Sequence, residues 1–330
     1  MAVMANRDLL VDFWEVGQGD CTVIHLPDGQ LILIDVGPVG SPVVDWLARQ
    51  PGRRIHSIVI THNDSDHVGA LTSLVDCCRN RIGVVYVMAD RNVHEQPFRD
   101  LFRRLDQAWK AKEIGALFRL EAPITIWSSP VSSGGHATGE FSLDVRHPTL
   151  SANVLTSSPN DTSAVIVLTT PSSETLLWAG DTSVANVAAV ASGTAPSLML
   201  GPHHGAPIDR HEKDFAKRLK SIGPRAIVAS VGTGNRYRHP CVNYIRNARR
   251  AGATFVCTQL TKQCEKPGRL RHVFKGAALL GLPQARKGFS CRGTIRLVYD
   301  GTQLRADAFA ESAHGRAVKL LTRPKCIPSY

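Results

Sequence analysis

The chain of 330 residues lacks any stretch approaching the roughly 18 uninterrupted apolar residues of a membrane-spanning helix, so no membrane contact is expected. Its first ten residues carry Asp8 and no apolar core segment, which argues against a secretory signal. Cysteine occurs eight times but never as a C-x2-C pair, and eight thiols in a chain this long do not staple a small scaffold. Without an export signal they read as reduced thiols of a cytoplasmic protein. No internal repeat at solenoid spacing is present. Acidic residues are the scarcer sign: 28 Asp and Glu against 39 Lys and Arg leave a net charge of +11. That balance favours an acidic partner, a nucleic acid or another phosphodiester. A basic surface with no particular target gives the same count, so charge alone does not decide. The hydrophobic share of 43% and charged share of 20% exclude a disordered or coiled-coil chain. The length allows a sizeable core, as one large domain or a domain with an extension.

Apolar runs punctuated by turn residues give the coarse organisation. Leu9 to Trp14, Thr22 to Leu26 and Leu31 to Ile34 read as consecutive strands with a tight turn at Pro27-Asp28-Gly29. Further strands are expected at Ile55 to Ile60, Val84 to Met88, Phe141 to Val145, Ala164 to Thr169, Leu176 to Trp178, Leu198 to Leu200 and Ala226 to Val231. Helices are expected over Pro42 to Arg49 and after His67 through Val75. Another is expected over Pro97 to Phe118, where Phe98, Leu101, Phe102, Leu105 and Trp109 recur at three- and four-residue spacing. That stripe reads as core packing. Ser128 to Gly139 is small, polar and Gly-rich, a loop. Hairpins at the start and strands separated by helical segments thereafter point to an α/β domain with mixed sheets.

The chemistry concentrates at strand ends. Thr61-His62-Asn63-Asp64-Ser65-Asp66-His67 places four metal-ligand side chains within six residues, directly after a buried strand. His62 and Asp64 can face one ion while Asp66 and His67 face another. Four later segments also follow apolar runs: Arg146-His147-Pro148, Gly180-Asp181-Thr182, Pro202-His203-His204-Gly205 and Arg238-His239-Pro240. A single strand-end histidine is commonly structural or merely exposed. Strand ends along one edge of a sheet converge, however, and α/β proteins build sites there.

Together these residues resemble the metallo-β-lactamase superfamily and, within it, the soluble domain of ComEC-type DNA-uptake proteins. The resemblance runs through Val16-Gly17-Gln18-Gly19-Asp20, Leu33 to Gly37, the signature at Thr61 to His67 with Val68 to Leu71, and Asn160 to Ser163. It continues through Gly180-Asp181, His203 to Gly205, Val231-Gly232, Asn235, Tyr237 and His239-Pro240. It implies a four-layer αββα sandwich over residues 6–260, with a helical insertion at about 90–120 and a binuclear metal cleft on one edge. By the same resemblance His62, Asp64 and His147 hold one ion. Asp66, His67 and one of His203 and His204 hold the other, and Asp181 bridges both. The superfamily more often has His where this chain has Asp64, a harder ligand, so the two divalent ions are Zn²⁺ or Mn²⁺. Asp20 and Asp35 are expected to orient ligands from behind, with ordinary turn carboxylates as the competing reading.

The chemistry implied is hydrolysis by a water shared between two ions, with Asp66 or Asp64 orienting it. His239, expected to titrate near working pH, would bind a phosphate or protonate the leaving alkoxide. A core histidine at a strand exit is the competing reading. Asn235, Arg236, Tyr237 and Arg238 beside it suit phosphate contacts. The first functional expectation is a metal-dependent phosphodiesterase or nuclease. Hydrolysis of carboxylic substrates (thioesterase, lactonase or lactamase chemistry) and a non-catalytic metal-binding scaffold are the alternatives. Residues 261–330 form a basic extension in which Lys262 to Ser290 is a surface insertion. Gly293 to Tyr299 and Gln303 to Phe309 flank a hairpin turn at Asp300-Gly301, completing a sheet, and Ala313 to Tyr330 is a flexible tail. Cys257, Cys264, Cys291 and Cys326 are a weak candidate for a small zinc site.

Overall fold

The computed structural model describes residues 9–88, 96–130, 140–155, 158–208, 214–265, 280–283, 285, 287–319, 321 and 324. The apolar runs become two sheets. The first is built from β1 (Leu9–Phe13), β2 (Cys21–His25), β3 (Leu31–Val36), β4 (Ile55–Val59), β5 (Ile82–Val87) and β6 (Ile114–Arg119). The second takes β7 (Ile124–Pro130), β8 (Glu140–His147), β9 (Val165–Thr169), β10 (Thr175–Trp178), β11 (Leu198–Leu200), β12 (Ala226–Ala229) and β13 (Thr254–Cys257). The chain then returns to the first sheet with β14 (Ile295–Tyr299) and β15 (Leu304–Ala306), giving the order β15-β14-β1-β2-β3-β4-β5-β6 opposite β13-β12-β11-β10-β9-β8-β7.

Each face of each sheet finds apolar cover, as layer packing requires. The inner faces meet in one core that includes Phe13, Ile24, Ile34, Leu143, Ile166 and Trp178. Phe13 stacks on Trp178 with centroids 5.7 Å apart, and the Trp178 indole N–H donates to Thr22 Oγ1 at 2.9 Å across the sheets. Outside the first sheet lie α1 (Pro42–Ala48), the single turn α2 (Ser65–Val68), α3 (Leu71–Cys77) and α4 (Gln96–Lys110). The apolar stripe of α4, led by Leu101 and Leu105, enters the core on this face. After the short α5 (Leu150–Leu155), α6 (Val184–Ala191), α7 (Phe215–Ile222) and α8 (Val242–Arg250) cover the second sheet. The result is the four-layer αββα sandwich.

Three expectations change. The helix expected to run to Phe118 ends at Lys110. Lys112 takes a left-handed φ of 58°, and residues 114–119 form the edge strand β6 on β5. Gly115 permits this pairing, because a Cβ there would lie 2.5 Å from the Gly83 carbonyl oxygen. Residues 128–130 finish β7 and are not loop, while 131–139 lie outside the described residues. The tail begins as α9 (Ala308–Val318), which also takes over the end of the expected strand Gln303 to Phe309. No helix among the described residues is long and apolar enough to cross a membrane.

The C-terminal part is fastened to the start of the chain by buried polar groups. Asp12 on β1 stands opposite Arg296 on β14 and accepts both guanidinium hydrogen bonds at 2.6 Å, with His25 at 3.1 Å. Burial alone would raise the Asp12 pKa, but Arg296 and His25 hold it below the ordinary carboxylate value. Glu15 accepts from Ser290 Oγ at 2.6 Å and Gln259 Nε2 at 3.0 Å. Cys264 and Cys291 pack with Leu260 in a small apolar cluster next to buried Cys257, while Cys326 lies outside the described residues.

Burial without a cation raises the Glu15 pKa from 4.5 to about 7. The folded state therefore keeps a proton that the unfolded chain releases. This contribution is complete below pH 4.5 and is lost as pH rises through about 7. The loss is at most about 3 kcal/mol, at 1.36 kcal/mol per pKa unit. A Glu15→Gln variant, which can still accept from Gln259 and donate to Ser290, is expected to lose this dependence. Denaturant unfolding of both proteins at pH 5 and pH 8 measures it. An unchanged stability difference between the two pH values would contradict the buried, unpaired carboxyl.

Candidate metal centre

The loop after β4 and the single turn α2 supply the first donors. Asp64 precedes the turn, so Asp66 and His67 project from it while His62 lies on the incoming strand end. The turn is pinned from behind. Asp20 N–H donates to the Asp66 carbonyl at 3.3 Å and Gly37 N–H to the His67 carbonyl at 3.1 Å. Gly19, at φ 121°, is required for this approach, since a Cβ would lie 2.0 Å from the Asp66 carbonyl oxygen. Asp35 itself sits at a left-handed φ of 52°. Its carboxylate accepts from Thr61 N–H at 2.8 Å and Thr61 Oγ1 at 2.7 Å, and its Oδ2 lies 2.8 Å from His67 Nδ1. That contact fixes the ring so that Nε2 points forward.

The second sheet supplies the rest. Asp181 follows β10 through Gly180, and His203 and His204 follow β11 in a one-turn 3-10 segment, Pro202–Gly205. His203 and His204 both have left-handed backbones, φ 48° and 52°, a pair that costs of order 1–3 kcal/mol each and persists where the fold over-determines it. The strain turns both rings toward Asp181.

Donor atoms then collect in two groups sharing one carboxylate. Asp181 Oδ2 lies 3.5 Å from His62 Nε2 and 3.5 Å from His203 Nε2, with Asp64 Oδ2 3.8 Å from His62 Nε2. Asp181 Oδ1 lies 3.4 Å from His67 Nε2 and 3.5 Å from His204 Nε2, with Asp66 Oδ2 3.4 Å from His204 Nε2. His67 Nε2 and His204 Nε2 are only 3.0 Å apart. Two ligands bound tetrahedrally to one ion at about 2.1 Å stand about 3.4 Å apart, the same range. Asp20 also lies close, but its oxygens face His204 Nδ1 at 3.3 Å and His67 Nδ1 at 3.9 Å. It therefore stands behind the rings, as Asp35 does.

The donor set fits a divalent metal. His62 Nε2 and Asp181 Oδ1 are buried without a hydrogen-bond partner among the described residues. Burial alone would lower the His67 and His204 pKa values. Asp35 and Asp181 around the first, and Asp20 and Asp181 around the second, instead raise them well above the ordinary value. Conversely, burial opposes ionisation of Asp181, but His204, His62 and His67 hold its pKa well below the usual range. Protons on these two rings offset part of the negative charge of the surrounding aspartates. Divalent cations would supply the same charge and displace those protons.

His147 stands apart. A register shift in β8 precedes it, and its Nε2 lies 2.7 Å from the backbone oxygen of Asp161, where burial lowers its pKa. The position expected for it beside His62 and Asp64 faces His203, and both histidines of the His203-His204 pair reach Asp181, not one of them. His239 lies just beyond, its ring 5.5 Å from that of His203 and 6.4 Å from that of His204. Its pKa is lowered to about 4, by burial first and then by His204 and His203, so it is a neutral imidazole at pH 7 and not a group titrating near working pH. Asn235 fixes its backbone, accepting from His239 N–H at 2.8 Å and donating to its carbonyl at 2.9 Å. Tyr237, half exposed, stacks on His239 at 5.6 Å, and Arg236 covers the Tyr237 ring at 4.9 Å. Arg238 is exposed with a left-handed φ of 62°. The reading from sequence missed Thr61 as the clamp on Asp35, and Thr261 to Gln263, which reach the same rim beside His239. No local signal marks either.

Residues 14–221 match the family described as the Metallo-beta-lactamase superfamily. A 57-residue stretch is 37% identical to the hydroxyacylglutathione hydrolase of Pseudomonas savastanoi pv. phaseolicola (strain 1448A / Race 6), covering 17% of this chain. The match spans only 22% of that relative's own length. Among solved structures, the metallo-beta-lactamase fold protein YhfI from Bacillus subtilis aligns with 76% of this chain and 95% of its own, at 11% identity and a TM-score of 0.45. The human tRNase Z, short form, aligns with 76% of this chain and 92% of its own, at 13% identity and a TM-score of 0.40.

Stripping with a chelator is expected to lower the melting temperature, and adding Mn²⁺ or Zn²⁺ to restore it. Elemental analysis of Asp181→Ala should show metal lost from both donor groups, whereas His147→Ala should keep the wild-type content. Metal lost on changing His147 would return that residue to the ligand set.

Proposed function

The chain belongs to the metallo-β-lactamase superfamily, and from that premise we propose that it is a metal-dependent phosphodiesterase acting on nucleic acid. One divalent ion would be held by each donor group, His62, Asp64 and His203 on one side of Asp181, His67, Asp66 and His204 on the other. The observation that carries the reading is the cationic rim beside the donors. Arg236 and Arg238 are exposed around His239, and neither has a carboxylate within ion-pair distance among the described residues. Unpaired cations at the mouth of a site suit an anionic substrate, and the net charge of +11 suits a polyanion. The resemblance of the Asn235 to Pro240 group to ComEC-type domains points the same way.

A pair of divalent ions supplies a water of near-neutral pKa and offsets charge developing on the attacked phosphoryl group. The chain's own residues do the rest. Asp66 and Asp64 flank the donor cluster from the open side and can accept a hydrogen bond from the attacking water. Asp181 holds four imidazoles in register with two oxygens. His239, neutral and anchored by Asn235, can offer a ring N–H to a substrate oxygen. Arg236, supported on Tyr237, places a guanidinium over the approach to the rim. Hydrolysis of a carboxylic substrate is the second reading, favoured by the 37% identity over 57 residues to a hydroxyacylglutathione hydrolase.

Chelator-stripped protein given back Mn²⁺ or Zn²⁺ is expected to cleave bis(p-nitrophenyl) phosphate and single- or double-stranded DNA. Asp181→Ala should reduce the rate at least about 10³-fold, and His239→Ala about 10- to 100-fold. Turnover of a thioester without any phosphodiester cleavage would favour the second reading. No turnover of either by protein holding two ions would overturn both.

A further inference from the structure

Next to His239, on the side where Arg238 and Lys262 meet, lies a cavity of about 60 Å³. It has room for a tetrahedral oxyanion. Two distant segments build it. One is the loop between β12 and α8, contributing Asn235, Arg238 and His239. The other follows β13 and contributes Thr261, Lys262 and Gln263. Both walls are fixed. Asn235 Nδ2 ties Gly232 O at 2.7 Å to His239 O at 2.9 Å, and Thr261 Oγ1 accepts from Gln263 N–H at 3.3 Å to close the turn that carries Lys262. The second segment is moored through Gln259 to buried Glu15 and through Cys264 to the cluster with Leu260 and Cys291.

Three features of this cavity lack a counterpart within the chain. Arg238 and Lys262 bring two positive charges to one small space with no carboxylate paired to either among the described residues. Arg238 holds a left-handed backbone that an arginine adopts only at a cost. His239, only 5% exposed, has an Nδ1 with no hydrogen-bond partner. Two cations with the Gln263 side chain beside them, around one small cavity, suit a bound phosphate group.

We propose that this cavity is a second phosphate subsite: it takes a phosphate of the substrate one step removed from the bond that is cleaved. The inference rests on the phosphodiester reading of the neighbouring donor cluster. All of the cavity's lining residues, from Thr233 to Gln263, lie beyond residues 14–221, so the subsite is built outside the part of the chain that matches the family. A substrate with a single phosphate cannot use it. A substrate with two can, whether the second is an internal phosphodiester or a terminal phosphomonoester.

The kinetic test compares wild type with Lys262→Ala on bis(p-nitrophenyl) phosphate, on thymidine dinucleotide with and without a 5′-phosphate, and on the trinucleotide. The variant is expected to raise KM about tenfold only for substrates carrying a second phosphate, leaving kcat and the single-phosphate substrates unchanged. An effect confined to the 5′-phosphorylated dinucleotide identifies a terminal group, and one shared with the trinucleotide an internal one; both support the subsite. Lys262→Arg should restore KM. A separate binding measurement needs no turnover: inorganic phosphate titrated into the metal-replete protein by calorimetry should show a site lost in Lys262→Ala and kept in Lys262→Arg. If that site is seen while no phosphodiester is cleaved, the functional reading fails and with it the subsite's place in the reaction, and only a phosphate-binding site stands. Equal phosphate binding by wild type and Lys262→Ala, or a KM rise shared by bis(p-nitrophenyl) phosphate, overturns it.

Discussion

Asp181 is a carboxylate with a 3% exposed side chain set among four imidazoles, and most of the molecule's loop geometry follows from keeping it ionised there. Removing such a group from water costs several kcal/mol unless positive charge and hydrogen bonds surround it. Asp20 and Asp35 add two more buried carboxylates behind the rings. Protons on His67 and His204 offset part of this charge, and divalent cations would offset more of it, which is why the donor set fits a metal. The left-handed backbones at Asp35, His203 and His204 are local costs that the same requirement imposes, because no relaxed loop would aim these groups at one point.

Both sheets are needed to bring the donors together. His62, Asp64, Asp66 and His67 hang from the first sheet through β4, while Asp181, His203 and His204 hang from the second through β10 and β11. The core between the sheets, with Phe13 stacked on Trp178, therefore sets the distance between the two halves of the site. A cavity opened in that core would act on catalysis through distance, since sub-ångström placement is what ligand sets demand.

The C-terminal return performs a comparable service at the rim. β14 pairs with β1 in register, and the Asp12–Arg296 pair and the Glu15–Gln259–Ser290 bonds hold the ends of the chain together. The extension after residue 260 thus shares a sheet and a polar network with the start of the chain. That mooring lets Thr261 to Gln263 stand beside Asn235 to His239 and present cations next to the donor cluster.

The sequence by itself determined the fold class, nearly every strand of both sheets, and the donor-bearing segments at Thr61 to His67, Asp181 and His203-His204 that the fold brings together. Those features are local: hydrophobic runs of strand length and donors crowded into one loop carry their meaning without knowledge of distant partners. It misjudged residues 114–119 because their apolar character continues a helical pattern, and only pairing with β5 makes them a strand. It left Lys262 to Ser290 as a surface insertion and did not see its end tied inward, since a buried Glu15 meeting Ser290 is a contact between residues 275 positions apart. Tertiary structure alone decided that His203 and not His147 faces Asp181, that both His203 and His204 reach it, and that Lys262 lines one cavity with Arg238. A ring's direction depends on strain and hydrogen bonds from elements far along the chain. The 3.0 Å approach of His67 to His204, 137 residues apart, is set by two packed sheets and by no pattern within either segment.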